Sequence, residues 1–532
     1  MTIVSLPFFI LVAATVLCYY IVPKKYRWLV LLAASGLFYW FNSGILLLVL
    51  VTTSLVTFLI GLWIAKIQEA QQKHLDDHPD LSREEKKKEK EAAKKRTKRV
   101  LLLGILLVLG ALLVLKYANF FIDNFNSLAA AVHAEGTLPR LNLLLPLGIS
   151  FYTLQAIAYM TDVYRGKQKA DRDPVRFLLF MSFFPQIVQG PIPRYGQLAS
   201  QLYEGHEFDY KKLTFGVQLM LWGLMKKIVL ADRLAMPANQ LFGHYENYNG
   251  PILFVGSLLY GLQVYCDFSG GMDIARGVAQ MLGIDLEKNF DQPYFASSIE
   301  DFWRRWHMTM GSWMKDYVFY PLSLSKTFTN LGRKSRKVFG TFVGKRLPSF
   351  LAMFIVYFLV GFWHGPNWKY VAFGLWNGLF IMFGILMENV YKKAREKCGI
   401  DEGSISWRVF RMVRTLFVVT LGRYFSRADD FTSAVQMLKR TFINWWDLSF
   451  LTEGKLLNMG LNNANWYLLL AMILLLFFVD LQHERGISFR EVIARQSLIF
   501  RWGIYIGTVL FLLIFGLYGP AYDAAAFIYG QF

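Results

Sequence analysis

Cysteine and charge are both scarce in this sequence. Cys18, Cys266 and Cys398 are its three cysteines in 532 residues, and they share no paired spacing. This excludes a disulfide framework and a cysteine-rich zinc motif. Charged residues make up 18% of the chain, against roughly 25% in an average soluble domain. Hydrophobic residues make up 55%. A soluble fold could not bury so much apolar surface, so the composition predicts a protein embedded in a lipid bilayer.

Amphipathic periodicity is also missing from the longest apolar segments. Val100–Leu115 is apolar on every face of a helix, and Tyr467–Val479 and Ile504–Leu517 behave in the same way. Each extends to about the 20 residues that a membrane span needs. We therefore predict an all-α polytopic membrane protein with about 11–13 spanning or re-entrant helices around a central cavity or tunnel. The predicted spans are 3–22, 27–41, 44–65, 100–122, 143–163, 212–231, 251–283, 348–363, 368–390, 408–424, 465–481 and 501–520.

The net charge of +19 is confined mainly to short links between apolar segments. This placement is typical of cytoplasmic loops under the positive-inside rule and argues against nucleic-acid binding. The charge pattern of residues 66–99 predicts a charged cytoplasmic helix or a disordered loop. That of residues 326–346 predicts a basic cytoplasmic loop. Basic residues after the first span place the N-terminus outside. No soluble domain interrupts the spans, so residues 1–532 are predicted to form one membrane domain.

A predicted helical hairpin places a histidine at its turn. Gly365 and Pro366 end the apolar stretch before them, so the chain is expected to turn at His364. The flanking basic segments 326–346 and 392–414 should both be cytoplasmic, which puts His364 away from the cytoplasm or at depth in the membrane. An ionisable side chain in such a place is a functional candidate. The alternative is a histidine that only donates a hydrogen bond between helices.

A second histidine, His307, lies in an aromatic segment with little net charge. Ser298 and Asp301 predict the start of a helix there. On that predicted helix, Trp303, Trp306, Met310 and Trp313 fall at spacings of three and four and form one aromatic face. Arg304 and Arg305 beside that face would be available for an anionic ligand.

Upstream, three charged residues interrupt an apolar stretch: Asp267, Asp273 and Arg276. Gly270 and Gly271 lie between them and are expected to break the span and expose backbone amides. The pattern favours a lined cavity. A structural salt link between Asp273 and Arg276 is the competing interpretation.

Several motifs together resemble those of the membrane-bound O-acyltransferase family. They are Tyr265–Gly270, Asp301–His307 and Phe362–Gly365, supported by Asn289–Pro293, Phe183–Gln186 with Gly190–Pro191, and Leu147–Phe151. The last three resemble the bacterial branch of alginate O-acetylation and teichoic-acid D-alanylation proteins. The similarity covers most of an acyltransferase core at about 140–425, leaving extra C-terminal spans in 426–532.

The resemblance implies an O-acetyltransferase in the bacterial inner membrane that uses a cytoplasmic donor, with acetyl-CoA expected, and a polysaccharide acceptor. It implies His364 and His307 as catalytic residues, with His364 as general base or transient acyl carrier and His307 at the donor. The residues expected to line the tunnel or substrate site are Asp267, Asp273, Arg276, Asn289, Arg304, Arg305, Trp306, Trp363 and Asn367. No bound cofactor or metal is expected, because two histidines without matched carboxylate or cysteine ligands make a poor zinc set.

The resemblance also implies a separate extracytoplasmic, hydrolase-like partner that completes delivery to the polymer. Two alternatives stay open. D-alanyl transfer from a carrier protein to teichoic acid is the closer one. A transporter or flippase of a cell-envelope precursor would also explain charged residues within spans, but it would predict inverted repeats, and none is detectable.

Overall fold

A computed structural model describes residues 1–133 and 136–518, in which helices are the regular secondary structure. The first twelve are α1 Leu6–Ile21, α2 Arg27–Ser43, α3 Leu47–Asp77, α4 Arg83–Leu112, α5 Ala118–Ala131, α6 Ile149–Tyr164, α7 Pro174–Ser182, α8 Phe184–Ile187, α9 Tyr195–Glu204, α10 Tyr210–Leu224, α11 Asp232–Gly243 and α12 Pro251–Met281. The others are α13 Ile299–Arg305, α14 Met308–Met314, α15 Tyr320–Ser323, α16 Lys326–His364, α17 Trp368–Lys397, α18 Ile405–Arg427, α19 Phe431–Phe442, α20 Ser449–Thr452, α21 Asn463–Glu484, α22 Phe489–Ala494 and α23 Leu498–Phe515.

Short π-helical and 3₁₀ segments join or extend several of these helices. The π-helical segments are Leu113–Tyr117, Met225–Ala231 and Lys315–Phe319. The 3₁₀ turns are Lys24–Tyr26, Gly44–Leu46, Tyr245–Asn247 and Pro293–Phe295.

The all-α membrane architecture predicted from the sequence is confirmed. In the part of the chain that the structure describes, eight helical stretches are long and apolar enough to cross a membrane. Each of the twelve predicted spans overlaps a helix, and the last two residues of the 501–520 span lie outside the described residues. The chain is therefore a multi-pass membrane protein.

The helices pack as two compact units. The first comprises Met1–Gly216 with Ala275–Glu287, and the second comprises Val217–Ile274 with Lys288 onward. In the first unit, α3 and α4 form a hairpin that carries the charged residues 66–99 as helix rather than as a disordered loop. Ser82 and Glu85 form a capping box that fixes the start of α4.

In the second unit, α16 and α17 form the hairpin that the sequence predicts. Gly361 and Gly374 lie at their crossing, where a Cβ atom on either would overlap the opposite backbone. Small residues therefore let these two helices approach closely, as is common between membrane helices. The prediction of a basic loop at 326–346 is wrong, because those residues belong to α16. Their chain reverses at Gly340, whose φ of 72° falls in the left-handed region that glycine adopts without a steric penalty.

Gly270 and Gly271 do not break α12, which runs without interruption from Pro251 to Met281. Gly270 instead faces Gly223 of α10, and a Cβ atom at Gly270 would lie 2.8 Å from the Gly223 carbonyl oxygen. Gly223 and Gly270 therefore allow a close helix crossing, and α12 remains continuous through it.

Candidate active site

His364 is the last residue of α16, at the turn where the sequence placed it. The helix ends because Gly365 is extended, with φ 170° and ψ 162°, and not in a left-handed cap conformation. The space at this position favours glycine because a side chain packs closely against it. A Cβ atom on Gly365 would lie 2.6 Å from the ring of Tyr370, which packs across the turn. The chain then enters α17. Asn367 caps the first turn of this helix, because its side-chain oxygen accepts a hydrogen bond from the Lys369 N–H at 3.0 Å.

His307 interrupts the helix that the periodicity of residues 299–314 predicted. The predicted start is confirmed, since Ser298 caps α13 by accepting from the Asp301 N–H at 3.0 Å. The continuous helix is wrong: α13 ends at Arg305, His307 has φ 48° and ψ 53°, and α14 begins at Met308. The Met308 N–H donates to the Asn289 carbonyl at 3.0 Å. A long-range backbone bond thus replaces the local helical one, and the predicted aromatic face is divided between two short helices.

The side chain of His307 is buried, with 4% of its surface exposed. Its Nδ1 atom lies 3.1 Å from Nδ2 of Asn289, and the edge of the Phe268 ring packs against the imidazole with ring centroids 4.9 Å apart. Burial and, to a lesser extent, electrostatic repulsion from His364 lower the pKa of His307 to about 3. His307 is therefore neutral at physiological pH.

Trp363 connects the two histidines. Its ring centroid lies 6.0 Å from that of His307 and 5.2 Å from that of His364. His364 also borders a cavity of about 40 Å³, enough for a few water molecules or a small acyl group. The other residues lining it are Tyr260, Val264, Phe302, Trp303, Trp306, Tyr370, Phe373, Asn377, Val419, Arg423 and Ser426. The structure therefore joins His307, Trp363 and His364 by ring contacts, and Trp306 and His364 line the cavity beside them.

Asp267 and Asp273 are held by two lysines that the sequence analysis did not single out. Lys227 Nζ lies 2.5 Å from Asp267 and 2.9 Å from Asp232, and Lys226 Nζ lies 2.7 Å from Asp273. The adjacent lysines lie in the π-helical segment Met225–Ala231. The Lys-Lys pair inside the predicted span 212–231 could have predicted these contacts, because buried charges in a membrane protein need partners of opposite sign.

Asp267 is linked to the histidine pair through its chain neighbour, since Phe268 packs against His307. Tyr265 of the same helix donates to Asp480 of α21 at 2.9 Å. This buried polar cluster fixes the position of α12, whose Phe268 packs against His307, and it therefore supports the site from outside the reacting region.

The two arginines of the His307 segment have different surroundings. Arg305 forms ion pairs with Asp301 at 3.2 Å and with Glu484 at 2.7 Å, and these partners raise the pKa of Arg305. Arg304 pairs with Asp301 at 2.6 Å, but 74% of its side chain is exposed. Arg304 is therefore the better placed of the two to meet an anionic ligand. Arg276 belongs to the other compact unit, where its Nε donates to the Leu286 carbonyl at 3.4 Å.

Comparison with known proteins matches residues 168–398 to the membrane-bound O-acyltransferase family model. A probable alginate O-acetylase of Pseudomonas syringae is 32% identical over 82% of this chain and 74% of its own length. A peptidoglycan O-acetyltransferase of Helicobacter pylori is 31% identical over 64% of each chain. A teichoic acid D-alanyltransferase of Streptococcus thermophilus is 29% identical over 50% of this chain and 63% of its own length.

Proposed function

Because this chain belongs to the membrane-bound O-acyltransferase family and is an acyltransferase, we propose that it moves an acetyl group from cytoplasmic acetyl-CoA across the membrane for O-acetylation of an exported polysaccharide. Relatives named for O-acetyl transfer support the acetyl group. The alginate O-acetylase similarity extends over 82% of the chain, whereas the D-alanyltransferase similarity extends over 50%. That difference in extent favours acetylation over D-alanylation.

The observation that carries the proposal is the continuous contact from His307 through Trp363 to His364 beside a small aromatic cavity. In the proposed reaction His364 is the general base. It accepts the proton of the acceptor hydroxyl as the oxygen attacks the thioester carbonyl carbon. The carbon–sulfur bond then breaks, and His364 returns the proton to the leaving thiolate. General base catalysis of this kind contributes about 10²–10⁴-fold to a rate.

His307 would act on the same carbonyl from the donor side. A neutral, buried imidazole is suited to hydrogen bonding a carbonyl oxygen on which negative charge develops. Trp306 and Trp363 would confine the acyl group by their rings, and exposed Arg304 would meet the phosphates of the donor. Asp267, Asp273 and Asn289 would hold the surrounding elements in place. For Arg276 and Asn367, a role in lining the tunnel remains a prediction from the resemblance.

We further propose the bacterial inner membrane as the location, with the N-terminus and the acceptor outside and the donor inside. Delivery to the polymer would be completed by a separate extracytoplasmic, hydrolase-like acyltransferase. The positive-inside arrangement of residues 66–99 and 326–346 supports this orientation.

The test is acetyl transfer by the purified protein in liposomes, with acetyl-CoA labelled in the acetyl group and alginate or peptidoglycan fragments as acceptors, with and without the candidate partner. The His364→Ala variant should lose at least about 10²-fold in rate. His244→Ala is the matched control, because His244 is exposed in the same compact unit.

Transfer by a folded His364→Ala variant at the wild-type rate would refute the proposed mechanism. Transfer from a D-alanyl carrier protein and none from acetyl-CoA would replace acetylation by D-alanylation.

A further inference from the structure

The amide of Asn289 has a fixed orientation. Its side chain is buried, and its Oδ1 atom accepts hydrogen bonds from the Thr309 backbone N–H at 2.9 Å and from the Thr309 hydroxyl at 3.0 Å. A backbone N–H can only donate, so the amide atom that faces it must be the oxygen. Exchanging the oxygen and nitrogen would set two donors against each other in a buried site and leave both without an acceptor, which is strongly unfavourable.

This orientation determines which nitrogen of His307 carries the proton. With Oδ1 turned to Thr309, the amide nitrogen lies 3.1 Å and Oδ1 lies 3.3 Å from His307 Nδ1. A carbonyl oxygen has two lone pairs, and those of Oδ1 already accept from the Thr309 N–H and hydroxyl, so Oδ1 has no capacity left for a third donor. The amide NH₂ group can only donate, so Nδ1 accepts from it. The proton of the neutral imidazole is then on Nε2, since a neutral imidazole has one donor and one acceptor nitrogen. The second amide hydrogen points to Met272 Sδ at 3.4 Å.

We propose that Asn289 is a positioning residue that holds His307 in the Nε2–H tautomer, so that His307 donates a hydrogen bond in the reaction and never accepts a proton. The Met308 N–H bond to the Asn289 carbonyl at 3.0 Å fixes the same two segments through the backbone. Side chain and main chain of Asn289 therefore act together to fix both the place of His307 and its tautomer.

The inference rests on the proposed function for its chemical meaning. When the acceptor oxygen attacks the thioester, negative charge develops on the carbonyl oxygen, and an Nε2–H group donates to it. No bond to hydrogen breaks at His307, so the proton of the acceptor passes through His364 alone. The two histidines thereby have distinct roles, one as donor and one as base. Removal of a hydrogen-bond donor of this kind costs about 10²–10³-fold in turnover.

The Asn289→Asp variant separates this role from a merely structural one. Aspartate has nearly the same shape and keeps an oxygen for the Thr309 N–H. Its second oxygen can only accept, so it would draw the proton of His307 to Nδ1. We expect the kcat of acetyl transfer to fall by about 10²-fold with the KM for the donor little changed. Asn239→Asp is the control, because Asn239 is exposed and its Oδ1 accepts from Arg427.

The tautomer is measured directly by nitrogen-15 NMR of the full-length protein labelled at histidine, with the His307→Gln spectrum subtracted. Wild type should show a protonated Nε2 and an unprotonated Nδ1, and Asn289→Asp should show a protonated Nδ1. A wild-type His307 protonated at Nδ1 would overturn the proposal even if the variant fails to fold. Reversal of the tautomer without loss of kcat would also overturn it. Absence of wild-type transfer from any donor would refute the proposed function, while the spectrum would still decide the tautomer.

Discussion

A single methyl group at the crossing of α10 and α12 should weaken both the fold and the site. Gly223 faces Gly270 there, and a Cβ atom on Gly223 would lie 2.5 Å from the Gly270 carbonyl oxygen. Ordinary contact begins at 3.4 Å, so Gly223→Ala requires the helices to separate by 3.4 − 2.5 = 0.9 Å. Neither backbone can relax locally, because the opposing atom belongs to a hydrogen-bonded helix.

The energetic cost has two parts. Overpacking a close-packed contact costs about 1–3 kcal/mol. The same crossing carries the Lys227–Asp267 and Lys226–Asp273 pairs at 2.5 and 2.7 Å, and a shift of this size would stretch both beyond good hydrogen-bonding distance. Together we expect a loss of about 3 kcal/mol in the free energy of unfolding, or about 10²-fold in the unfolding equilibrium.

Catalysis should fall with stability, because Asp267 is followed by Phe268, whose ring packs against His307. A displacement of about 1 Å at a reacting group can cost about 10²-fold in rate. Unfolding in mixed micelles of increasing denaturing detergent would measure the free energy, and labelled acetyl transfer would measure the rate. Gly384→Ala is the control, since Gly384 lies in α17 with no atom within 4 Å of its added Cβ. A Gly223→Ala protein as stable and active as the control would refute the reasoning.

Three other outcomes are expected. Glu484→Gln should lower the free energy of unfolding by about 1–3 kcal/mol, because it weakens the partly buried ion pair with Arg305; an unchanged unfolding curve would contradict this. Burial lowers the pKa of His307 to about 3, below the ordinary value of 6.5, so on acidification the imidazole takes up a proton in the unfolded chain before it does so in the folded protein. The free energy of unfolding should therefore fall by about 2 kcal/mol between pH 7 and pH 5. The His307→Gln variant should lack this part of the loss, and an equal loss in wild type and variant would contradict the prediction. A cysteine at exposed Lys337 should resist an impermeant thiol reagent in intact cells while one at exposed Thr137 reacts, and labelling at Lys337 from outside would invert the proposed topology.

Local features of the chain were predictable where one segment decides its own structure. Apolar runs without periodicity identified the membrane helices, because a helix in lipid satisfies its backbone hydrogen bonds within its own segment. The Gly-Pro sequence after His364 identified the hairpin turn, and Ser298 identified the start of α13, because caps depend on residues within one turn. The motifs resembling the family identified both histidines.

The predictions that failed concern segments whose neighbours lie far away in sequence. The periodicity predicted a helix that continues through His307. In the structure the Met308 N–H donates to the Asn289 carbonyl instead of to its own helix, and the helix is interrupted. Gly270 is compatible with a helix break or with a close crossing, and only the presence of Gly223 decides for the crossing. The basic segment 326–346 contains one glycine with left-handed backbone, and the helices on both sides of it pack against each other.

The sequence by itself determined that this chain is a multi-pass, all-helical membrane acyltransferase with two histidines in apolar surroundings, because composition, helix ends and motifs are properties of short segments. Tertiary structure alone decided that Lys226 and Lys227 neutralise the intramembrane aspartates, that Trp363 connects the histidines, and that Asn289 orients His307. The lysine–aspartate pairs and the contacts of His307 with Trp363 and Asn289 join residues 18 to 56 positions apart. The choice of each partner depends on how the close-packed helices exclude all other residues. Periodicity along one helix carries no information about that choice.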